Sequence, residues 1–448
     1  MKARFLSAIL TSFFLMLNAC DKSPLDPNHP VTLSIWHVYG AQTRSPMNTL
    51  IERFNKTVGK ECGIIISVTS VTNSTAIHDA LVAAARNQPG SGELPDLFTC
   101  YPKTLVAMGS GMALDWGKFF TEEDLKSYVP QFIEECKIDG VLRLFPIAKS
   151  TNALFINRTI FDRFSQDTGA SYADLATWEG IFRTAARYQE WSHGKAFFMC
   201  DDWLQYAMLN TEALGEPFFA GRAVRWDNPA LLKVWKPLAE AAVNGQVCLT
   251  PGFATKPMMM GNAICGVEST ASILYFKDTV TLSDNSTMPL RLLVLPEPRF
   301  AGAKRLDIQR GVGLCARPST PEKEYASAVF CKWLTEAENN LPFVIQGGYL
   351  PVRKDSFEKL RKAEDVNFPD ERYRALYAMI LKIYAETDFF LPPSFEEYGA
   401  IERSFAAALR EVLSAAKSLA PDTEKDSDNL ARVTLARMEE RLSAVPRQ

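Results

Sequence analysis

The chain has 448 residues, 47% hydrophobic and 23% charged, which is the composition of a folded globular protein and excludes a disordered or fibrous one. A single hydrophobic core stops growing at about 250 to 300 residues, so two domains are expected. A formal net charge of -3 lacks the basic surface that polyanion binding needs, and no nucleic-acid partner is expected.

The N-terminus reads as a targeting segment. Lys2 and Arg4 form a basic head, Phe5 to Leu17 is an apolar run too short to cross a bilayer, and Leu17-Asn18-Ala19-Cys20 follows directly. Those four residues resemble the lipobox of bacterial lipoproteins, in which the cysteine becomes the lipid-bearing first residue. The resemblance implies a signal peptide over residues 1–19, lipidation at Cys20 and a lipid anchor on the outer side of the cell membrane. Asp21 resembles the residue that keeps such lipoproteins on the periplasmic face of the inner membrane in Gram-negative cells. Residues 20–30, rich in Pro, Asp and Asn, read as a tether. Loss of Lys2 and Arg4 takes the charge from -3 to -5. The cysteines other than Cys20 are Cys62, Cys100, Cys136, Cys200, Cys248, Cys265, Cys315 and Cys331. Their even number permits disulfides outside the cell without fixing a pairing. Cys100, Cys265, Cys315 and Cys331 lie in apolar stretches and read as buried thiols. No CxxC occurs and the four histidines lack a paired spacing, so no metal or other cofactor is expected.

From residue 31 the pattern alternates. Val31 to Val38 predicts a strand, Pro46 to Val58 a helix with Leu50, Ile51, Phe54 and Val58 on one face, and Gly63 to Val71 a second strand. A helix over Ala76 to Asn87 and a strand over Asp96 to Cys100 follow. Such alternation predicts an α/β fold with sheets flanked by helices, and ligands at the carboxyl ends of the strands. Further strands are predicted at Leu142 to Ile147, Ala153 to Ile156, Asn262 to Val267 and Leu290 to Leu295. Helices are predicted at Tyr172 to Trp191, Trp203 to Leu214, Pro229 to Asn244 and Glu322 to Glu338, the last with a core stripe of Tyr325, Val329, Phe330 and Trp333. An Ala-rich stretch at Ala400 to Ala420 and an amphipathic one at Asp428 to Ala444 read as solvated helices packed on a domain, with a heptad partner surface as the alternative.

Several blocks in fixed order carry a resemblance: Leu33-Ser34-Ile35-Trp36-His37, Pro95-Asp96-Leu97-Phe98, Asp139 to Asn157, Trp178-Glu179, Gly261 to Ser272, Gly311 to Ala316 and Gly347 to Arg353. Together they resemble the extracellular solute-binding proteins of ATP-binding-cassette importers, in the branch that binds carbohydrates and glycerol-phosphate compounds. The resemblance implies a two-lobed periplasmic-binding-protein fold, each lobe a parallel or mixed sheet flanked by helices, joined at a hinge. Lobe 1 would be residues 31–149 plus 310–350 and lobe 2 residues 151–309 plus 351–448, with crossings near Ala148 to Asn152, Asp307 to Gly311 and Gly348 to Pro351. It also implies a monomer that hands a small carbohydrate to permease transmembrane subunits and does no catalysis of its own.

Candidate ligand contacts follow from position and from the resemblance. Trp36 and Tyr39 follow the first strand at its carboxyl end, with Tyr39, beside Gly40, expected to be exposed. Asn73 follows the second strand, where Ser74 or Thr75 is expected to cap the next helix. Ser150 and Thr151 sit at the first crossing, where the family places hydroxyl contacts. Trp203, after Asp201 and Asp202, matches a ligand-stacking tryptophan of the glycerophosphodiester binders. Glu268, Ser269 and Thr270 match a ligand-contacting loop, and Tyr349 in Gln346-Gly347-Gly348-Tyr349-Leu350-Pro351 matches a ligand-contacting tyrosine. Those relatives also hold phosphate with an arginine, and here the corresponding segment, Phe390 to Tyr398, has none before Arg403. A neutral sugar is therefore expected over glycerol phosphate or a glycerophosphodiester. A sensory lipoprotein signalling to a receptor kinase, and a glycoside hydrolase using Asp201, Asp202 or Glu268, are the rival readings.

Overall fold

The computed structural model describes residues 23–39, 45–71, 73–362, 366–419 and 424–443, so the leader and Cys20 lie outside the described residues. Its strands include Val31–His37 (β1), Ile64–Val71 (β2), Leu97–Cys100 (β3), Phe145–Pro146 (β4), Asn152–Asn157 (β5), Phe198–Cys200 (β6), Cys265–Ser269 (β7), Leu292–Pro296 (β8), Leu306–Ile308 (β9), Gly313–Ala316 (β10) and Asp388–Phe390 (β11). A first sheet has the order β2-β1-β3-β10-β4. Within it β1 runs parallel to β2 and β3, and β10 runs antiparallel to β3 and β4. A second sheet has the order β8-β5-β7-β6, with β7 parallel to β6 and β5 antiparallel to both its neighbours.

Helices that shape the rest are Pro46–Lys56 (α1), Ser74–Ala85 (α2), Pro102–Met108 (α3), Pro130–Glu135 (α4), Trp203–Ala213 (α5), Pro321–Thr335 (α6), Ala337–Gly347 (α7), Glu371–Glu386 (α8) and Tyr398–Ala415 (α9). In α1 the first-turn proline is preorganised and the Ser45 side chain caps the Asn48 N–H, while Leu50, Ile51 and Phe54 are buried on one face. The single helix expected over Glu322 to Glu338 is two. Glu336 is extended, and the Asn339 amide donates to the Trp333 carbonyl at 2.7 Å, adding to the weaker bond from the Glu336 N–H at the break. In the expected core stripe Phe330 and Trp333 are buried, whereas Tyr325 and Val329 are half-buried at its margin.

Alternation along β5 divides the core. Ala153 and Phe155 face a cluster that holds the first sheet together with Val352, Leu376 and Ile380, whereas Leu154 and Ile156 face a second cluster with Trp178, Trp235 and Leu409. The eight cysteines from Cys62 to Cys331 are all free thiols, and Cys100 and Cys315 lie with their sulfurs 3.7 Å apart in the first core. No helix among the described residues is long and apolar enough to cross a membrane.

The chain passes from the first sheet to the second between β4 and β5 and returns between β9 and β10. These passages lie side by side. Ser150 N–H donates to Arg310 O at 2.9 Å and Arg310 N–H returns to Ser150 O at 2.8 Å. On the other side Lys149 and Leu350 exchange backbone hydrogen bonds of 3.1 and 2.6 Å. The result is a short ribbon of three backbones between the sheets. The Asn340 amide ties α7 to it through the Ile147 carbonyl at 2.7 Å.

Gly348 ends α7 at φ 67° and presses against the 270–275 turn, where a Cβ would come within 2.6 Å of Ile273 Cγ2 and 2.7 Å of Thr270 O. Both the conformation and the contact require glycine. Gly348→Ala is expected to destabilise the chain by about 1–3 kcal/mol, read as a lower midpoint in denaturant unfolding.

Candidate functional site

A cavity of about 650 Å³ opens between the two sheets. The first sheet contributes Tyr101, directly after β3, with Lys103 and Thr104 of α3, His78 of α2 and Glu135 at the end of α4. Opposite lie Asp201 and Asp202, directly after β6, Gln205 of α5, and Phe253 on the Pro251–Phe253 loop. One face of α9 closes the side with Gly399, Glu402, Arg403, Ala406 and Arg410, and Gln309 and Arg310 of the second passage form the floor. Tyr101 and Asp201 thus occupy the carboxyl ends of strands, where an α/β sheet leaves room for a ligand.

Charges in the floor are tightly paired. The Arg310 guanidinium donates to Asn152 Oδ1 at 2.7 Å and to Asp201 Oδ2 at 3.2 Å, with both side chains of the ion pair largely buried. Lys149, only 1% exposed, donates to the Gly311 carbonyl at 3.1 Å and pairs with Glu135 at 2.5 Å, and Glu135 also accepts from Gln309. Across the cleft, Lys103 of α3 pairs with Glu402 of α9 beneath two rings, its ammonium 5.5 Å from the centre of Tyr101 and 5.4 Å from that of Tyr398.

Burial also keeps several acids protonated. Asp202, the N-cap of α5, is pushed up to about 7 by burial, with the Glu402 and Asp201 carboxylates adding to the effect. Burial pushes Glu297 up to about 8, helped by Asp307 and Asp201 and opposed by a hydrogen bond from Asn152 and by Arg310. Burial likewise lowers the His78 imidazole, whose Nδ1 is 2.8 Å from the Thr104 hydroxyl.

None of the ten residues expected to bind ligand lines this cavity. Trp36 is half-buried in the first core beside Gly92. Trp203 is 3% exposed, packed on Phe198 and Tyr206 at ring distances of 6.3 and 5.8 Å, because the Asp202 cap turns the first helical side chain inward. Glu268 is fully buried, accepting from the Thr255 hydroxyl at 2.7 Å, and burial pushes it up to about 8. The expected capping by Ser74 or Thr75 is corrected: the Asn73 side chain caps α2 by accepting from the Thr75 and Ala76 N–H groups, and Ser74 and Thr75 line the cavity instead. Ser269 caps the 270–275 turn.

The remaining expected residues do come together, in a closed seam behind the cavity. Tyr39, expected to be exposed, is only 7% exposed, its ring edge-on to Tyr349 at 5.4 Å and to Phe343 at 5.0 Å. The correction has a physical reason. The Tyr39 N–H donates to His37 Nδ1 and its carbonyl accepts from Ser45, which folds the chain back over the core. Gly348, beside Tyr349, lies against Thr270, whose N–H donates to the Thr151 carbonyl at 2.8 Å, one residue from the Ser150 bridge. Buried in this seam, Tyr39 OH, Thr151 Oγ1 and Thr270 Oγ1 have no hydrogen-bond partner among the described residues.

Position after a strand, the signal used for Trp36 and Tyr39, also marks Tyr101 and Asp201. The polar face of α9 is legible as the 3-1-3-4 spacing of Gly399, Glu402, Arg403, Ala406 and Arg410. Arg310, Phe253 and Glu135 carry no local signal.

The model of the bacterial extracellular solute-binding protein family matches residues 49–370. The chain belongs to that family. No curated protein matches this solute-binding protein in sequence. Solved structures share its two-lobed fold. A substrate-binding protein from Listeria monocytogenes in complex with cycloalternan is 15% identical over 92% of this chain and 99% of its own, with a TM-score of 0.68. The GacH receptor of Streptomyces glaucescens, solved with acarbose, is 16% identical over 93% and 99%, TM-score 0.66. UgpB from Mycobacterium tuberculosis in complex with glycerophosphocholine is 16% identical over 92% and 99%, TM-score 0.65.

The protonated Glu297 has a measurable consequence. Its folded pKa of about 8 lies above the ordinary 4.5, so the unfolded chain releases this proton first as pH rises. Its contribution to stability is present below pH 4.5 and is lost progressively up to about pH 8. Glu297→Gln is expected to remove that part of the slope. Thermal melts should show the variant more stable than wild type at pH 8 and equal to it at pH 4.5.

Proposed function

We propose that this solute-binding protein captures a carbohydrate in the cleft between its lobes and delivers it to the permease of an ATP-binding-cassette importer. The observation that carries the reading is the pairing of an exposed ring with convergent polar groups in one cavity. Phe253 is 64% exposed on the cleft loop, Tyr101 and Tyr398 line the same space, and Gln205 Oε1 is buried with no partner among the described residues. A sugar presents apolar C–H faces to such rings and hydroxyls to such acceptors. The unpartnered hydroxyls of Tyr39, Thr151 and Thr270 would be satisfied by the same ligand once the seam parts.

In this reading the lobes are residues 31–149 plus 310–350 and 151–309 plus 351–448, and ligand closes them about the ribbon of passages. The segment from Val352 to Ile383 packs in the first core while α8 also lies on β8, so it braces both lobes. The protein acts as a monomer, held on the membrane by a lipid on Cys20 after removal of residues 1–19. It does no hydrolysis. Asp201 is engaged by Arg310, Asp202 caps a helix and Glu268 is turned beneath Thr255, so these acids form no free catalytic pair.

Sugars that bind are expected to raise the melting temperature in a thermal-shift screen, and a screen in which no saccharide does so overturns the carbohydrate reading. Phe253→Ala should weaken the best binder about tenfold by calorimetry, the loss of one stacking platform, and leave the ligand-free melt unchanged. Cys20→Ala should abolish labelling by radioactive fatty acid and move the protein from the membrane to the soluble fraction. Continued membrane retention of that variant would exclude the lipid anchor.

A further inference from the structure

A neutral sugar is expected from the lack of an arginine between Phe390 and Tyr398, yet Lys103, Arg310, Arg403 and Arg410 all line the cleft. The acids that line it are each neutralised. Asp201 is paired with Arg310, Glu135 with Lys149 and Glu402 with Lys103, while Asp202 holds its proton to near neutrality through burial. Those pairings consume Arg310 and Lys103 as well. Arg403 and Arg410 remain, and neither has an acidic partner among the described residues.

Both stand on the cavity face of α9, seven residues and therefore about 10.5 Å apart along the helix, with the small Ala406 between them. Arg403 folds back over Gly399, where a Cβ would lie 3.6 Å from its Nη1 and 4.0 Å from His78 Cε1. The guanidinium and the imidazole thus both border Gly399, and Arg403 is near enough to act electrostatically on His78. Thr104 engages His78 Nδ1, and Nε2 is unengaged among the described residues. Two unpaired guanidiniums in a half-enclosed cavity of an otherwise acidic chain are suited to a ligand that supplies the missing negative charge.

We propose that the ligand is a saccharide bearing an anionic group, carboxylate or phosphoryl, which seats on Arg403 with His78 beside it and is drawn along α9 by Arg410. This rests on the carbohydrate reading and adds the ligand's charge. Neighbouring neutral hydroxyls would then meet Gln205 and the aromatic rings.

The test uses the whole folded chain and two matched sets of probes, neutral oligosaccharides such as maltotriose and acidic ones such as trigalacturonate and sugar phosphates. The best binder is expected to be acidic. Its affinity should fall with added salt, and the Arg403→Gln, Arg410→Gln double variant should bind it at least tenfold more weakly with a flattened salt dependence. The double variant is expected to keep the wild-type ligand-free melt, which separates lost recognition from lost folding. Preference for trigalacturonate over sugar phosphates identifies the group as a carboxylate, and the reverse as a phosphoryl. A neutral best binder, or an acidic one insensitive to both substitutions, overturns the proposal and leaves carbohydrate binding standing. Binding of no probe from either set overturns both.

Discussion

The ion pair between Arg310 and Asp201 sits where everything else in this protein converges. Arg310 belongs to the return passage between the sheets, its backbone bridges Ser150 of the outward passage, and its side chain holds Asn152 of one strand and Asp201 at the end of another. One buried guanidinium therefore fixes the floor of the cleft to the second sheet and to both passages. Removing either partner alone would strand a buried charge, which typically costs about 3–5 kcal/mol. The pair sets geometry as much as stability, because Tyr101, Gln309 and Glu135 are placed around it.

The first passage has its own anchor. Lys149 is buried against Glu135 and the Gly311 carbonyl, so each of the two neighbouring backbones contributes a cation to the junction. These buried bonds lock the two passages to each other and to the floor of the cleft. Lys103 and Glu402 are placed differently. They join α3 to α9 at the cleft, apart from the ribbon, and are more exposed than the floor pairs.

Elements with strong periodicity were legible in the sequence, and the placement of side chains between elements was not. The strands β1, β2 and β3 and the helix α1 follow the predicted segments within a residue or two, because alternation and capping are local. Glu336 breaks a helix that periodicity alone runs through, since the break depends on the Asn339 side chain. Trp203 and Tyr349 illustrate the harder case. An aromatic after a cap or in a Gly-rich turn looks presented to solvent, yet both face packed rings: Trp203 packs on Phe198 and Tyr206, and Tyr349 on nearby Phe343 and on Tyr39 from a distant part of the chain. Phe253, the exposed ring of the cleft, sits in an irregular loop with no period to read. Family resemblance supplied the two-lobed fold, while the residues it singled out, such as Trp203, Glu268 and Tyr349, are packed beneath the cavity lining rather than on it.

The order of strands in the first sheet has a kinetic meaning. Strand β3 pairs with β10, bringing together Cys100 and Cys315, 215 positions apart in the chain. Until β10 has been made, the sheet lacks the strand that joins β4 to β3, and the loop that must close is half the protein. Such long-range pairing makes for slow folding, and the N-terminal sheet stays incomplete until strand β10 is made. That delay is an asset in any polypeptide that must be threaded through a narrow channel before it folds, because an early, stable N-terminal lobe would jam it.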